Sequence, residues 1–243
     1  HGFGTMNGPL EEAVGAAQAL ARRAVALDGA GRAAEALAAR LEAAVNLPAW
    51  RRTGAVRWTF AGVNEHLWDR RRGLARVVSS ERRVLLRLKD QRGRAWRGET
   101  ELSGAERDAA LKWAWAAWCN DSFWLNPLAK LRDGGVELRR CELGGREALL
   151  VQYGSGGGNP GDAYGWVLGK GDLPERWKMW VSILPIPGVD ATWEGWVTLE
   201  TGAKIATEHR LLGGLNLALS EVAGAASLSE LVPGPDPFAP LME

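Results

Sequence analysis

Two cysteines in 243 residues are too few for a disulfide scaffold, and the spacing of Cys119 and Cys141 matches no zinc pattern. One bridge or two reduced thiols remain open, and two thiols are the expectation. Histidine is almost as scarce: beyond His1 there are only His66 and His209. No apolar run reaches the roughly 18 residues that a membrane-crossing helix needs. Gly154-Ser-Gly-Gly-Gly158 follows a strand-like run, but Asn159-Pro-Gly-Asp162 and another strand come next. Without a helix N-terminus or a Gly-Lys-Ser/Thr the anion cradle of a phosphate loop is missing, so the segment reads as a plain loop. The same stretch is not a nucleophile elbow, because Tyr153 stands where Gly-x-Ser155-x-Gly requires glycine. Cys119 and Cys141, on a helix end and a strand, read as buried and inert. No cofactor, no metal and no catalytic set is therefore expected.

Tryptophan is what the chain has in excess, thirteen against two tyrosines and four phenylalanines. Many stand at alternating positions, as in Val56, Trp58, Phe60; His66, Trp68; and Tyr164, Trp166, Leu168. In a strand, alternate residues share a face, so these rings build a broad aromatic face. Such a face either fills itself as a core or lines a hollow for a ligand. Trp177-Lys-Met-Trp180 and Trp193-Glu-Gly-Trp196 pose the same alternative. His66 and His209 have apolar or aromatic neighbours two residues away, which fits inward-facing core histidines. Brought together with Asp69, Asp121 or Asp162, they would instead make an acid/base pair.

The net charge of +1 conceals an asymmetry. Residues 51–97 carry thirteen Arg and one Lys against Glu65, Asp69, Glu81 and Asp90, an excess of ten positive charges in one region. Arginines on strand edges keep a sheet soluble, and they also attract anionic headgroups or an acidic partner. Nucleic acid is not expected, since no binding motif accompanies the patch.

The organisation follows from periodicity. Residues 1–6 read as a cloning remnant. Residues 7–48 read as two alanine-rich helices, one with a stripe of Leu10, Val14, Ala17 and Ala21 and one with Leu37, Leu41 and Val45, broken at Asp28-Gly-Ala-Gly31 and stopped by Pro48. From Gly54 the period changes to two, giving strands at 54–61, 65–71, 74–79, 82–89 and 93–98. Ser103-Gly-Ala-Glu106 reads as a capping box opening a helix over 104–119. A second series follows at 135–142, 146–153, 163–169, 176–184, 192–200, 203–212 and 214–222. Residues 49–224 thus form one sheet-bearing segment, and the proline-rich residues 225–243 read as an extended or frayed tail. Short connections favour an antiparallel meander. The expected fold is α+β, a strongly curved antiparallel β-sheet or half-barrel wrapped around the 104–119 helix, with the N-terminal helices as cover.

This layout, with Trp118-Cys-Asn-Asp-Ser-Phe-Trp124, Leu149-Leu-Val-Gln-Tyr153, Pro160-Gly-Asp162 and Trp177-Lys-Met-Trp180, resembles uncharacterised bacterial proteins related to Lol-type outer-membrane lipoprotein carriers. The resemblance implies a half-open barrel whose concave side holds acyl chains, and a place in the periplasm or at the outer membrane. The expected function is then binding or carriage of a lipid or acyl chain without chemistry. The expected wall is Trp58, Phe60, His66, Trp68, Trp115, Trp118, Phe123, Trp124, Tyr164, Trp166, Trp177 and His209. A hydrophobic small molecule or lipid is the expected partner, with a membrane surface or envelope proteins next, and the chain is expected as a monomer. The alternatives are a hydrolase using His66 and His209 with nearby carboxylates, and an interaction module with a basic sheet surface.

Overall fold

Pro48 does not end the helical segment; it starts a new helix. The computed structural model describes residues 31–154, 161–181 and 188–242. Within them α1 (Gly31–Ala44) stops at Asn46, whose left-handed backbone (φ 54°) turns the chain into α2 (Leu47–Arg52). Asn46 caps α2 by accepting from the Ala49 N–H, and Pro48 sits in the first turn, where a missing N–H costs nothing. The expected first helix lies outside the described residues, as does the Gly-rich loop over 155–160.

The strands follow the expected order closely. They are β1 (Ala55–Phe60), β2 (Asn64–Asp69), β3 (Leu74–Ser79), β4 (Arg82–Arg87), β5 (Gly93–Arg97) and β6 (Thr100–Glu101), then α3 (Gly104–Phe123). After α3 come β7 (Val136–Leu143), β8 (Arg146–Tyr153), β9 (Ala163–Leu168), β10 (Pro174–Trp180) and β11 (Val189–Thr192). Next are β12 (Val197–Thr198), β13 (Lys204–Ile205), β14 (Glu208–Arg210), β15 (Asn216–Ala225) and the short α4 (Leu228–Leu231). The run read as one strand at 192–200 is broken, because Gly195 takes a positive φ of 63° beside Thr207 and Glu208. The fold is α+β, with open and mostly antiparallel sheets: one of eight strands ordered β14-β15-β1-β2-β3-β4-β5-β6, one of five ordered β11-β10-β9-β8-β7, and the pair β12-β13.

The chain contacts divide into two units. One unit holds residues up to Val45, Leu128–Glu194 and His209–Asn216. In it α1 packs Ala34, Leu37, Ala38 and Leu41 inward against β7 and β8. Arg40 reaches Asp172 (2.7 Å), and Arg132 reaches Glu42 (2.9 Å) and Glu35, so ion pairs fix the helix at both ends. One face of the five-stranded sheet gathers Cys141, Leu143, Ala148, Leu150, Ala163, Val167 and Trp180. Gly165 lies on that face because a side chain there would collide with Leu143.

The other unit holds Asn46–Pro127, Gly195–Glu208 and Leu217–Glu243. Register places Trp58 opposite His66 and His66 opposite Val77, and the same face carries Ala75, Val84, Leu86 and Ala95. Helix α3 lies over this face through Ala110 and Ala114, small residues that let it approach β3, β4 and β5 closely. It opens at Ser103, but the Ser103 side chain makes no capping bond, and Glu106 turns instead to Arg97 (3.3 Å). It also runs one turn beyond the expected 119, to Phe123.

The proline-rich tail is not frayed. Phe238 is fully buried and Leu241 nearly so, and both join Leu67, Leu74, Leu85 and Trp96 on the reverse face of the eight-stranded sheet. Arg72 locks the tail by bidentate pairing with Asp236 at 2.7 and 2.9 Å, and Arg94 donates to the Pro240 carbonyl (3.0 Å). The tail has little regular structure beyond α4 and a single 3-10 turn at Ala239–Leu241, yet two apolar anchors are enough to dock it.

Candidate functional site

Asp121, in the last turn of α3, is buried and lies over β2. It accepts from His66 Nε2 (2.7 Å) and Asn64 Nδ2 (2.8 Å) on one oxygen and from Asn120 Nδ2 (2.9 Å) on the other. Alternation in β2 puts Asn64, His66 and Trp68 on the face toward α3, so one helix residue can meet two of them. The His66 ring is stacked on Trp58 with centroids 4.5 Å apart and planes 12° off parallel. Both side chains of the His66–Asp121 pair are sealed, at 1% and 2% exposure. His66 Nδ1 is also buried and has no hydrogen-bond partner among the described residues. A general base must reach a substrate proton. Neither nitrogen of this ring reaches solvent, so the pair acts as a clamp between helix and sheet.

Beside the clamp runs a line of rings. Trp115 stacks with Trp118 (5.5 Å), Trp118 meets the Trp68 ring edge-on (5.2 Å), and Trp68 meets Trp50 of α2 edge-on (6.4 Å). Each such pair stabilises by about 0.5–1.5 kcal/mol beyond area burial. Trp50 is buried, but Trp68, Trp115 and Trp118 are only half-buried, as is Phe123. The Trp118 indole N–H lacks a partner among the described residues. The line ends at Arg70, whose guanidinium lies 4.2 Å over Trp50 and 5.3 Å from Trp68. Its Nη1 donates to the carbonyls of Trp50 and of Thr53 (2.6 Å). Burial lowers the Arg70 pKa to about 10.

The other unit carries its own aromatic cluster. Trp166, Trp177 and Trp193 lie 4.8–5.0 Å from one another, and Tyr164 lies 4.7 Å from Trp177. Trp166 and Trp177 are buried outright, and His209, also buried, places Nδ1 2.9 Å from the Thr192 carbonyl with its ring against Trp193. Burial, then the nearby Asp162, pushes the Tyr164 hydroxyl well above its ordinary pKa.

Trp58, Phe60, His66, Trp68, Trp115, Trp118, Phe123 and Trp124 therefore belong to one unit, and Tyr164, Trp166, Trp177 and His209 to the other. Trp58, Phe60, Trp124, Trp166 and Trp177 are core residues by exposure. Asp69, a candidate partner for histidine, instead holds Arg72 (2.6 Å) and the N–H groups of Arg71 and Arg72. Sequence reasoning missed Trp50, Asn64 and Arg70. Asn64 was legible as a polar residue on the His66 face; Trp50 and Arg70 meet only through the fold.

No family model matches the chain, and no curated protein matches it. Among solved structures it is similar to a DUF1329 family protein from Desulfovibrio piger, at 12% identity and a TM-score of 0.38, covering 79% of this chain and 95% of that one.

Proposed function

We propose that this protein binds a hydrophobic ligand, a lipid or acyl chain, without transforming it, in the manner of a cell-envelope carrier with a curved half-barrel. The half-buried line Trp68, Trp118 and Trp115 at the seam of β2 and α3 carries the reading. Partly exposed rings in a row cost hydration free energy unless an apolar partner covers them. Trp58 of the same unit is core and does not contact the ligand. A hydrolase is the weaker reading because the His66–Asp121 pair is sealed under Trp58.

Native mass spectrometry of protein purified from cells, followed by organic extraction, tests the proposal, together with tryptophan fluorescence on titration with monooleoylglycerol. The expected result is a co-purifying lipid and a saturable fluorescence change that Trp118→Ala weakens at least fivefold. No extracted lipid and a flat titration would overturn it.

A further inference from the structure

We infer that the arginine-lined cavity at the start of β1 is a binding site for a phosphoryl group. The cavity, about 490 Å³, is lined by Arg51 and Arg52 from the end of α2, by Thr53 and Gly54, and by Arg70 and Arg71 from the turn after β2. Four arginines thus line one space. Their neighbour Arg72 takes both nearby carboxylates, Asp69 and Asp236. Among the described residues no carboxylate pairs with the side chain of Arg51, Arg52, Arg70 or Arg71. Cations lining one space with no carboxylate among them make it favourable for an anion.

The site is also built rather than merely exposed. Arg70 is fixed by two backbone carbonyls and by the rings of Trp50 and Trp68, and its buried Nε–H has no partner. Held by these contacts, the planar guanidinium of Arg70 has a fixed orientation, and guanidinium groups suit a tetrahedral oxyanion. Gly54 lets the chain close onto Ala226 and Arg71, since a side chain there would strike the Ala226 carbonyl and the Arg71 guanidinium. The phosphoryl group could come from a soluble phosphate or from a lipid headgroup. This inference does not depend on the tryptophan line binding a chain.

Isothermal titration of the full chain with inorganic phosphate and pyrophosphate in low salt tests the site, alongside co-sedimentation with phosphatidylglycerol vesicles and with phosphatidylcholine vesicles. Expected is one saturable site that weakens with added salt and loses at least tenfold in affinity in Arg51→Gln/Arg52→Gln. Those two residues are exposed, so the variant keeps the fold. Arg87→Gln/Arg92→Gln, equal in charge but outside the cavity lining, is expected to bind as the parent does. Binding of free phosphate or pyrophosphate assigns a soluble ligand. Binding only to phosphatidylglycerol vesicles, lost in the first variant and kept in the second, assigns a headgroup. No binding in any arm, or equal loss in both variants, overturns the inference. Because phosphate has no chain, its result is independent of the monooleoylglycerol titration.

Discussion

His66 Nε2 and Asp121 Oδ2 stand 2.7 Å apart across 55 residues of sequence, and this buried contact ties the last turn of α3 to β2. Removing the acceptor of buried hydrogen bonds leaves its donors unmet, at a cost of about 1–3 kcal/mol. Asp121→Ala is therefore expected to destabilise by that amount, because both His66 and Asn64 lose their acceptor. Asp121→Asn keeps one carbonyl oxygen and is expected to cost about half as much. Urea unfolding monitored by far-UV circular dichroism reads both; a loss under about 1 kcal/mol for the alanine variant would contradict the clamp.

Phe238 fills the reverse face of the eight-stranded sheet beside Leu67 and Trp96. Truncating a fully buried phenylalanine typically costs about 3–5 kcal/mol. Phe238→Ala should lower the thermal midpoint accordingly and render the tail cleavable by protease in the native protein. A tail as protease-resistant as in the parent would count against this packing.

Burial pushes the Cys141 thiol from its ordinary 9.0 up to about 11. The unfolded chain ionises first as pH rises, so the stability from the neutral buried thiol is complete below pH 9 and is lost as pH climbs through 11. Between pH 8.5 and 10.5 the parent should lose about 1–2 kcal/mol more than Cys141→Ala does. At pH 8 an aromatic disulfide reagent should leave Cys141 unmodified until denaturant is added. Rapid modification of both cysteines in the native protein would refute the assignment.

Gly54 and Gly73 should respond to alanine for different reasons. At Gly54 the new methyl would overlap the Ala226 carbonyl, whereas at Gly73 there is open space but a φ of +65°. Gly54→Ala is expected to cost about 1–3 kcal/mol or more by overpacking, and Gly73→Ala about 1 kcal/mol by backbone strain. Equilibrium unfolding of the two variants separates the mechanisms.

Strands β3 and β8 begin and end where alternation and flanking turn residues placed them, at 74–79 and 146–153. Such strands are legible because each turn signal lies within a few residues of the pattern it ends. The docking of Phe238 was illegible, because prolines signal only the absence of helix and strand and say nothing of where two isolated apolar side chains land. The aromatic face holding Trp58, His66 and Trp68 was legible by parity. Its closure by Asp121 was one of several carboxylate options, since a contact between distant elements leaves no local mark. Arg70 was read only as part of a basic stretch. Its clamp over Trp50 needs the register between α2 and the β2 turn, which sequence does not state.

β1 pairs with β2 on one side and with β15 on the other. The chain therefore makes β1 long before it makes its second neighbour, with β7 to β11 synthesised in between. At ribosomal speeds of about 5–20 residues per second, that edge waits on the order of ten seconds for its mate. The nascent sheet spends this time with an unpaired edge, and its reverse face stays bare until Phe238 and Leu241 emerge. This half of the molecule completes its sheet only once β15 has emerged, so chaperone dependence in vivo should track the segment from β15 to Leu241.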